Sequence, residues 1–238
     1  MVDGPPEPQH PLLVTTSWLA DRLERPAHVL IDCGEAAAYR RAHIPGAVGV
    51  PHPYLKTGFD GLRYEPLVMG PDEFQRLARQ WGVSEHTPVI LYDDSSSLHA
   101  ARVWWVFDLY GHRNVRVLDG GFSAWLDEGW PLTAQIPQPP PGDFTARTDD
   151  SHLCRIDALK TAVERTHALQ IWDARADAEW SGADARGNKR AGHLPGARHY
   201  EWSRAIERPP SHRFRPLAEI RRELVAAGIN PEAETVTY

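Results

Sequence analysis

Thiols, imidazoles and carboxylates are the side chains through which this sequence could do chemistry, and their spacing narrows what that chemistry is. The 238 residues include two cysteines, Cys33 and Cys154, and twelve histidines. Cys33 follows Asp32 at the end of an apolar run, where a loop nucleophile would stand. Its neighbours Gly34-Glu35-Ala36 lack the pattern of an anion-cradling loop, so Cys33 reads as a buried, inert thiol. Cys154 precedes a helix expected over about 156–167 and reads as structural too. Two cysteines cannot build a disulfide framework, and in a reducing compartment both stay thiols. No two histidines stand four apart and none has Cys/His metal spacing, so no metal or organic cofactor is implied. His43 and His193, each ahead of a Pro-Gly turn, read as makers of loop-stabilising hydrogen bonds.

The elements that must position these groups occur twice. Leu30-Ile31-Asp32 is followed by Ala42-His43-Ile44-Pro45-Gly46-Ala47, and Ile171-Trp172-Asp173 by Gly192-His193-Leu194-Pro195-Gly196-Ala197. The aspartates are 141 residues apart and the histidines 150, so the second copy holds nine extra residues, supplied by the polar stretch 181–189. A helix expected over 71–81, with Pro71 in its first turn, has a twin between Pro216 and Gly228. Each is followed by a β-rich run ending in tyrosine, at Tyr92 and Tyr238.

Within the first copy, strands expected near 28–32, 47–50, 89–92 and 115–118 alternate with helices near 16–23, 71–81, 98–110 and 121–128. That alternation predicts an α/β fold with a parallel sheet flanked by helices. Thr133 through Gly142 carries four prolines, can hold neither helix nor interior strand, and reads as a stiff extended linker. Trp104, Trp105 and Phe107 are expected to fill core and interdomain contacts. A net charge of −6 argues against a nucleic-acid or anionic-membrane partner. The first residues lack the basic and apolar regions of a secretory signal, and no apolar run has the length of a membrane span. The expected location is the cytoplasm.

Taken in order and twice over, these motifs resemble the two-domain rhodaneses, the thiosulfate and 3-mercaptopyruvate sulfurtransferases, across essentially the whole chain. The likeness rests on the twin His-Ile/Leu-Pro-Gly-Ala segments, on Asp173-Ala174-Arg175, and on Gly111 through Phe122 with Trp125. It implies tandem rhodanese-like domains: a structural first domain over 1–132, a Pro-rich linker over 133–150, and over 151–238 the domain that is catalytic in the family. It also implies a transferase that moves sulfane sulfur from a small anionic donor, through a cysteine persulfide, to cyanide or another thiophilic acceptor. In such chemistry a thiolate, its pKa lowered by a ring of backbone N–H groups at a helix N-terminus, attacks the donor's outer sulfur.

By the same resemblance the nucleophile would directly follow Tyr238. The second domain is therefore expected to be incomplete by roughly 40 residues, judged from the first copy, and residues 1–238 are expected to be inactive. Its last strand would be central in a full sheet, so the second half is expected to be poorly stable. Asp93, after Tyr92, marks the matching loop of the first domain as inactive, because a carboxylate cannot carry sulfane sulfur. Arg175 is the substrate-binding candidate, its guanidinium suited to a sulfonate or carboxylate; the competing reading is a structural ion pair with Asp173. Glu179 stands where some relatives carry a further arginine. Two rival functions are a non-catalytic tandem binding or regulatory module and a phosphatase of the same fold, which would also need a loop cysteine.

Overall fold

The computed structural model describes residues 10–24, 26–49, 68–165 and 169–238. Val50, which ends the strand expected at 47–50, and His167, which ends the helix expected at 156–167, lie outside the described residues. The chain divides into two compact units, residues 1–152 with 209–213, and residues 153–208 with 214–238.

The first unit runs β1 (Leu13–Val14), α1 (Thr16–Ala20), β2 (Val29–Asp32), α2 (Ala36–Arg41), β3 (Val48–Gly49), α3 (Pro71–Gln80), β4 (Val89–Tyr92), α4 (Leu98–Leu109), β5 (Val115–Leu118) and α5 (Gly121–Asp127). Its five strands form one parallel sheet in the order β1-β5-β4-β2-β3. All four residues of β4 are buried, as a central strand covered on both faces must be. Ile90 and Tyr92 join Leu30, Leu118 and Trp125 in one core cluster. A second, aromatic cluster forms where Phe74 of α3 meets Phe107 of α4 edge-on, with ring centroids 4.9 Å apart.

The helix α3 shows how sequence sets these elements. Pro71 opens it, Asp72 and Glu73 sit at its positive N-terminal end, and Arg79 lies in its last turn. Phe74 and Ala78 form its buried stripe. In α4, Val103, Val106 and Phe107 are buried, whereas Trp104 and Trp105 are half-buried and hydrogen-bonded through their indole N–H groups to the carbonyls of Val115 and His152.

Residues 133–149 hold no helix, and their backbone forms one isolated bridge, between Thr133 and His43. This stretch is nonetheless fastened to the first unit. Gly142 N–H donates to Arg79 O at 2.8 Å, Phe144 N–H to Val83 O at 3.1 Å and Arg147 N–H to Tyr110 O at 3.0 Å. Phe144 is fully buried in the aromatic cluster, a burial that stabilises by about 1.5–3 kcal/mol.

The second unit runs α6 (Ile156–Arg165), β6 (Gln170–Asp173), α7 (Asp177–Ser181), β7 (Arg198–His199), α8 (Leu217–Ala226) and β8 (Thr235–Thr237). Its parallel sheet has the order β7-β6-β8, so β8, the counterpart of central β4, is here an edge strand. The Gln170 side chain ties the unit together: it donates to Asn230 O at 3.0 Å and accepts from Asn230 N–H at 2.8 Å. Among the described residues Ile171, Tyr200 and Ile229 are its buried apolar ones, while Ile156, Leu217 and Val225 are exposed. Among the described residues no helix is long and apolar enough to cross a membrane.

Candidate functional site

The two copies converge on one arrangement at the C-terminal ends of their paired strands. In the first unit Asp32 and Tyr92 stand side by side in register. In the second the ladder continues past β8, with Tyr238 N–H donating to Trp172 O at 3.1 Å and Ala174 N–H to Tyr238 O at 3.0 Å. The Tyr92 hydroxyl accepts the backbone N–H of Ile44 at 3.1 Å, and the Tyr238 hydroxyl that of Leu194 at 3.0 Å. Each phenol also hydrogen-bonds the neighbouring aspartate, Asp32 or Asp173. The repeated sequence landmarks are thus one hydrogen-bonded set: a strand-ending acid, a strand-ending tyrosine, and the first amide after the motif histidine.

The histidines brace the turns beside this set. His43 Nδ1 lies 2.7 Å from Tyr39 O and its Nε2 lies 3.1 Å from Gln135 O. His193 Nδ1 lies 2.9 Å from Trp180 O, and its ring stacks on Trp180 with centroids 3.4 Å apart. Among the described residues no group of three His, Cys, Asp or Glu side chains is placed to hold a metal ion.

The copies diverge two residues after the aspartate, and the divergence is electrostatic. In the first, Gly34 N–H donates to Asp32 Oδ1 at 2.7 Å; in the second, Arg175 N–H makes the same turn onto Asp173 Oδ1 at 3.0 Å. Arg175 adds a guanidinium. Its Nε and Nη2 donate to the two oxygens of Asp173 at 3.0 and 2.5 Å, and Nη2 also reaches Gly192 O at 3.0 Å. Its charged carbon lies 4.9 Å from the Tyr238 ring centroid, a cation–π contact.

Burial pushes the Asp32 carboxyl above its ordinary range, outweighing its hydrogen bonds from Gly34 and Tyr92. Burial acts upward on Asp173 too, but there the hydrogen bonds and charge of Arg175, with Tyr238, hold the carboxyl below the usual range. The ion pair expected as the competing reading of Arg175 is therefore made. It uses Nε and Nη2, while Nη1 makes a looser ion pair with Glu179 Oε1 at 3.9 Å and the side chain also meets Tyr238.

The loop after Tyr92 is an anion cup already filled. Asp93 is buried, and its Oδ1 accepts from the N–H groups of Ser95 and Ser97, each at 2.9 Å. Its Oδ2 accepts from His99 and Ala100 at 2.7 and 2.8 Å, at the opening of α4. Left-handed Ser96 and Ser97 turn these amides inward. Gly121 lets the next element come close: a side chain there would bring its Cβ to 2.3 Å from Asp93 O, the atom that accepts Phe122 N–H at 2.8 Å.

Cys33 stands directly beside the first unit's set, its N–H donating to Tyr92 O at 2.7 Å. Cys33 is fully buried, and burial, with the Asp93 and Asp32 charges, raises its pKa well above the ordinary thiol value. Cys154 corrects the expectation of a structural thiol: it is exposed, because the segment before α6 lies on the surface rather than in the core. The tyrosine hydroxyls are the site residues that sequence reasoning passed over. Their recurrence at the end of both β-rich runs was the available clue.

Comparison with known proteins agrees with this architecture. Residues 15–128 match the rhodanese-like domain family. The sulfur carrier protein TtuD of Thermus thermophilus is 31% identical over 96% of this chain and 82% of that protein. The thiosulfate sulfurtransferase of Azotobacter vinelandii is 33% identical, again over 96% and 82% of the two chains. The crystal structure of SseA from Escherichia coli, described as a 3-mercaptopyruvate sulfotransferase with the rhodanese fold, superposes with a TM-score of 0.82 at 24% identity, covering 96% of this chain and 88% of that one. The chain belongs to the rhodanese family of sulfurtransferases.

Proposed function

We propose that this chain is the framework of a sulfurtransferase that takes sulfane sulfur from thiosulfate or 3-mercaptopyruvate and passes it to a thiophilic acceptor such as cyanide. One observation carries the reading: the Arg175 guanidinium is fixed by Asp173 against the Tyr238 ring, at the C-terminal end of β6 and β8. Open α/β sheets hold their ligands at such strand ends. Arg175 is the donor-binding residue, its guanidinium suited to anchor the sulfonate or carboxylate.

The chemistry is a double displacement. A cysteine thiolate attacks the outer sulfur of thiosulfate, the donor's S–S bond breaks, and sulfite leaves with the electron pair. Cyanide then attacks the terminal sulfur of the persulfide, releasing thiocyanate and restoring the thiolate. The nucleophile is the residue that would follow Tyr238, and residues 1–238 alone transfer no sulfur, since Cys33 is sealed in a core and Cys154 sits on the exposed segment before α6. Asp93 supports this assignment by analogy. The loop after the twin tyrosine presents amides to an anion, and in the first unit a carboxylate fills it, consistent with a structural role for that domain. Two free thiols suit a reducing compartment such as the cytoplasm.

Isothermal titration of the full chain with thiosulfate tests the donor site. Binding should weaken at least about tenfold in Arg175→Gln, and stay unchanged in Cys154→Ser. Equal affinity of the unsubstituted chain and Arg175→Gln would remove Arg175 from the donor site.

A further inference from the structure

At the end of the first unit's sheet opposite to Asp32 and Tyr92, separate parts of the chain close around a hollow of about 170 Å³. Leu23 follows α1, His28 stands just before β2, Val48 lies on β3, Trp81 is the C-cap of α3, and Pro137 and Pro139 come from the Pro-rich segment. The lining side chains are apolar except for the His28 imidazole and the Trp81 indole N–H. Leu23 and His28 are half-buried, so the hollow opens to solvent on their side.

Its volume is close to that of an apolar protein cavity that holds benzene, about 150 Å³. One six-membered ring with one small substituent fills it. Its electrostatics reject charge. Burial, with the Arg22 charge, pushes the His28 imidazole down to about 4, so the ring is neutral at pH 7 while the nearby guanidinium repels a second cation. An anion would give up its hydration among prolines and aliphatic side chains. A neutral imidazole offers one N–H and one bare nitrogen, and no group among the described residues hydrogen-bonds the His28 ring. Proline rings pack on aromatic faces, as they do in Pro-rich recognition grooves, which favours an aromatic ring over an aliphatic one.

We propose that this hollow is a second ligand site, taking a small uncharged aromatic molecule whose single hydroxyl or N–H bonds His28 and whose ring packs between Val48, Trp81 and the two prolines. Occupancy has a structural consequence. The Pro-rich segment is tied to the unit before the hollow by Gln135 O on His43 and after it by Gly142 N–H on Arg79 O. Pro137 and Pro139, between those ties, have no N–H with which to make another. The ligand bridges that gap and fastens the segment to the sheet.

Phenol is the probe, titrated into the full chain and followed by calorimetry and by the Trp81 indole resonance. We expect saturable binding with a dissociation constant of about 1 mM and a shift of that resonance. Benzylammonium and benzoate, which add a charge of either sign to the same ring, should bind at least about tenfold more weakly. His28→Phe keeps a ring and removes the polar partner, so phenol should bind about fivefold more weakly with toluene unchanged. Leu23→Trp fills the hollow and should abolish binding of both. Thermal unfolding checks that each variant is folded; should one fail, the charged rings and the Trp81 shift in the unsubstituted chain decide the matter. No saturable phenol binding, a Trp81 resonance that stays in place, charged rings bound as tightly as phenol, or phenol affinity unchanged in either folded variant overturns the proposal.

Discussion

The hydroxyl of Tyr238 receives the backbone N–H of Leu194 at 3.0 Å, repeating the bond that Tyr92 makes with Ile44 in the first unit. Through it, the end of one strand and the turn after the motif histidine are held against the aspartate of a neighbouring strand. Tyr92 is wholly buried, so Tyr92→Phe removes the acceptor of the Ile44 amide and leaves Asp32 with Gly34 N–H but without the phenol. Urea unfolding should show a loss of about 1–3 kcal/mol for the first unit. Tyr238 is partly exposed, so Tyr238→Phe should cost less.

Asp93→Ala removes the acceptor of four backbone N–H groups at the opening of α4. A loss of about 2–4 kcal/mol is expected. Asp93→Asn should recover only part of it, because an amide offers one oxygen where the carboxylate offers two. Retention of full stability in Asp93→Ala, measured by thermal or urea unfolding, would show that the cup does not need an anion.

Asp173 and Arg175 make the second unit sensitive to acid. The folded carboxyl sits below its ordinary value, so its stabilisation is present above the unfolded value of about 4 and is lost as pH falls through the folded value. In Arg175→Gln the buried carboxylate loses its partner, at roughly 2–4 kcal/mol near neutral pH, and the carboxyl rises as Asp32 does. The deficit should shrink once the pH drops below that raised value. Unfolding of the two chains across pH 3–8 measures the difference. A deficit that does not change with pH would mean that Asp173 is not the group responsible.

The two thiols should separate cleanly in a labelling experiment. Cys154, being exposed, should react with an aromatic disulfide reagent in the native chain, and Cys33 only on unfolding. Two fast thiols would mean that the core around β2 opens readily.

Much of this arrangement is legible in the sequence because repetition doubles each clue. Asp32 with Asp173, Ile44 with Leu194 and Tyr92 with Tyr238 fix the register of both copies before any coordinates. The four-residue apolar strands and the ten-residue helix α3, opened by Pro71, follow from composition and periodicity. The short elements do not: β1 is two residues, and α2 and α7 have six and five and no side-chain cap, so tertiary contacts hold them. Phe144 sits among prolines that mark a linker, yet it completes a core, and no local pattern announces that. Asp93 is visible as a carboxylate in the wrong place for sulfur chemistry. Its four amide bonds depend on left-handed serines, Ser96 and Ser97, which no propensity favours.

Formation of thiocyanate from thiosulfate and cyanide is the most direct test of where sulfur is carried. Residues 1–238 alone should produce none, and the same chain continued past Tyr238 by a cysteine-led loop and helix should produce it, with loss of that activity in Arg175→Gln. Thiocyanate made by residues 1–238 alone would contradict the assignment of the nucleophile to the position after Tyr238.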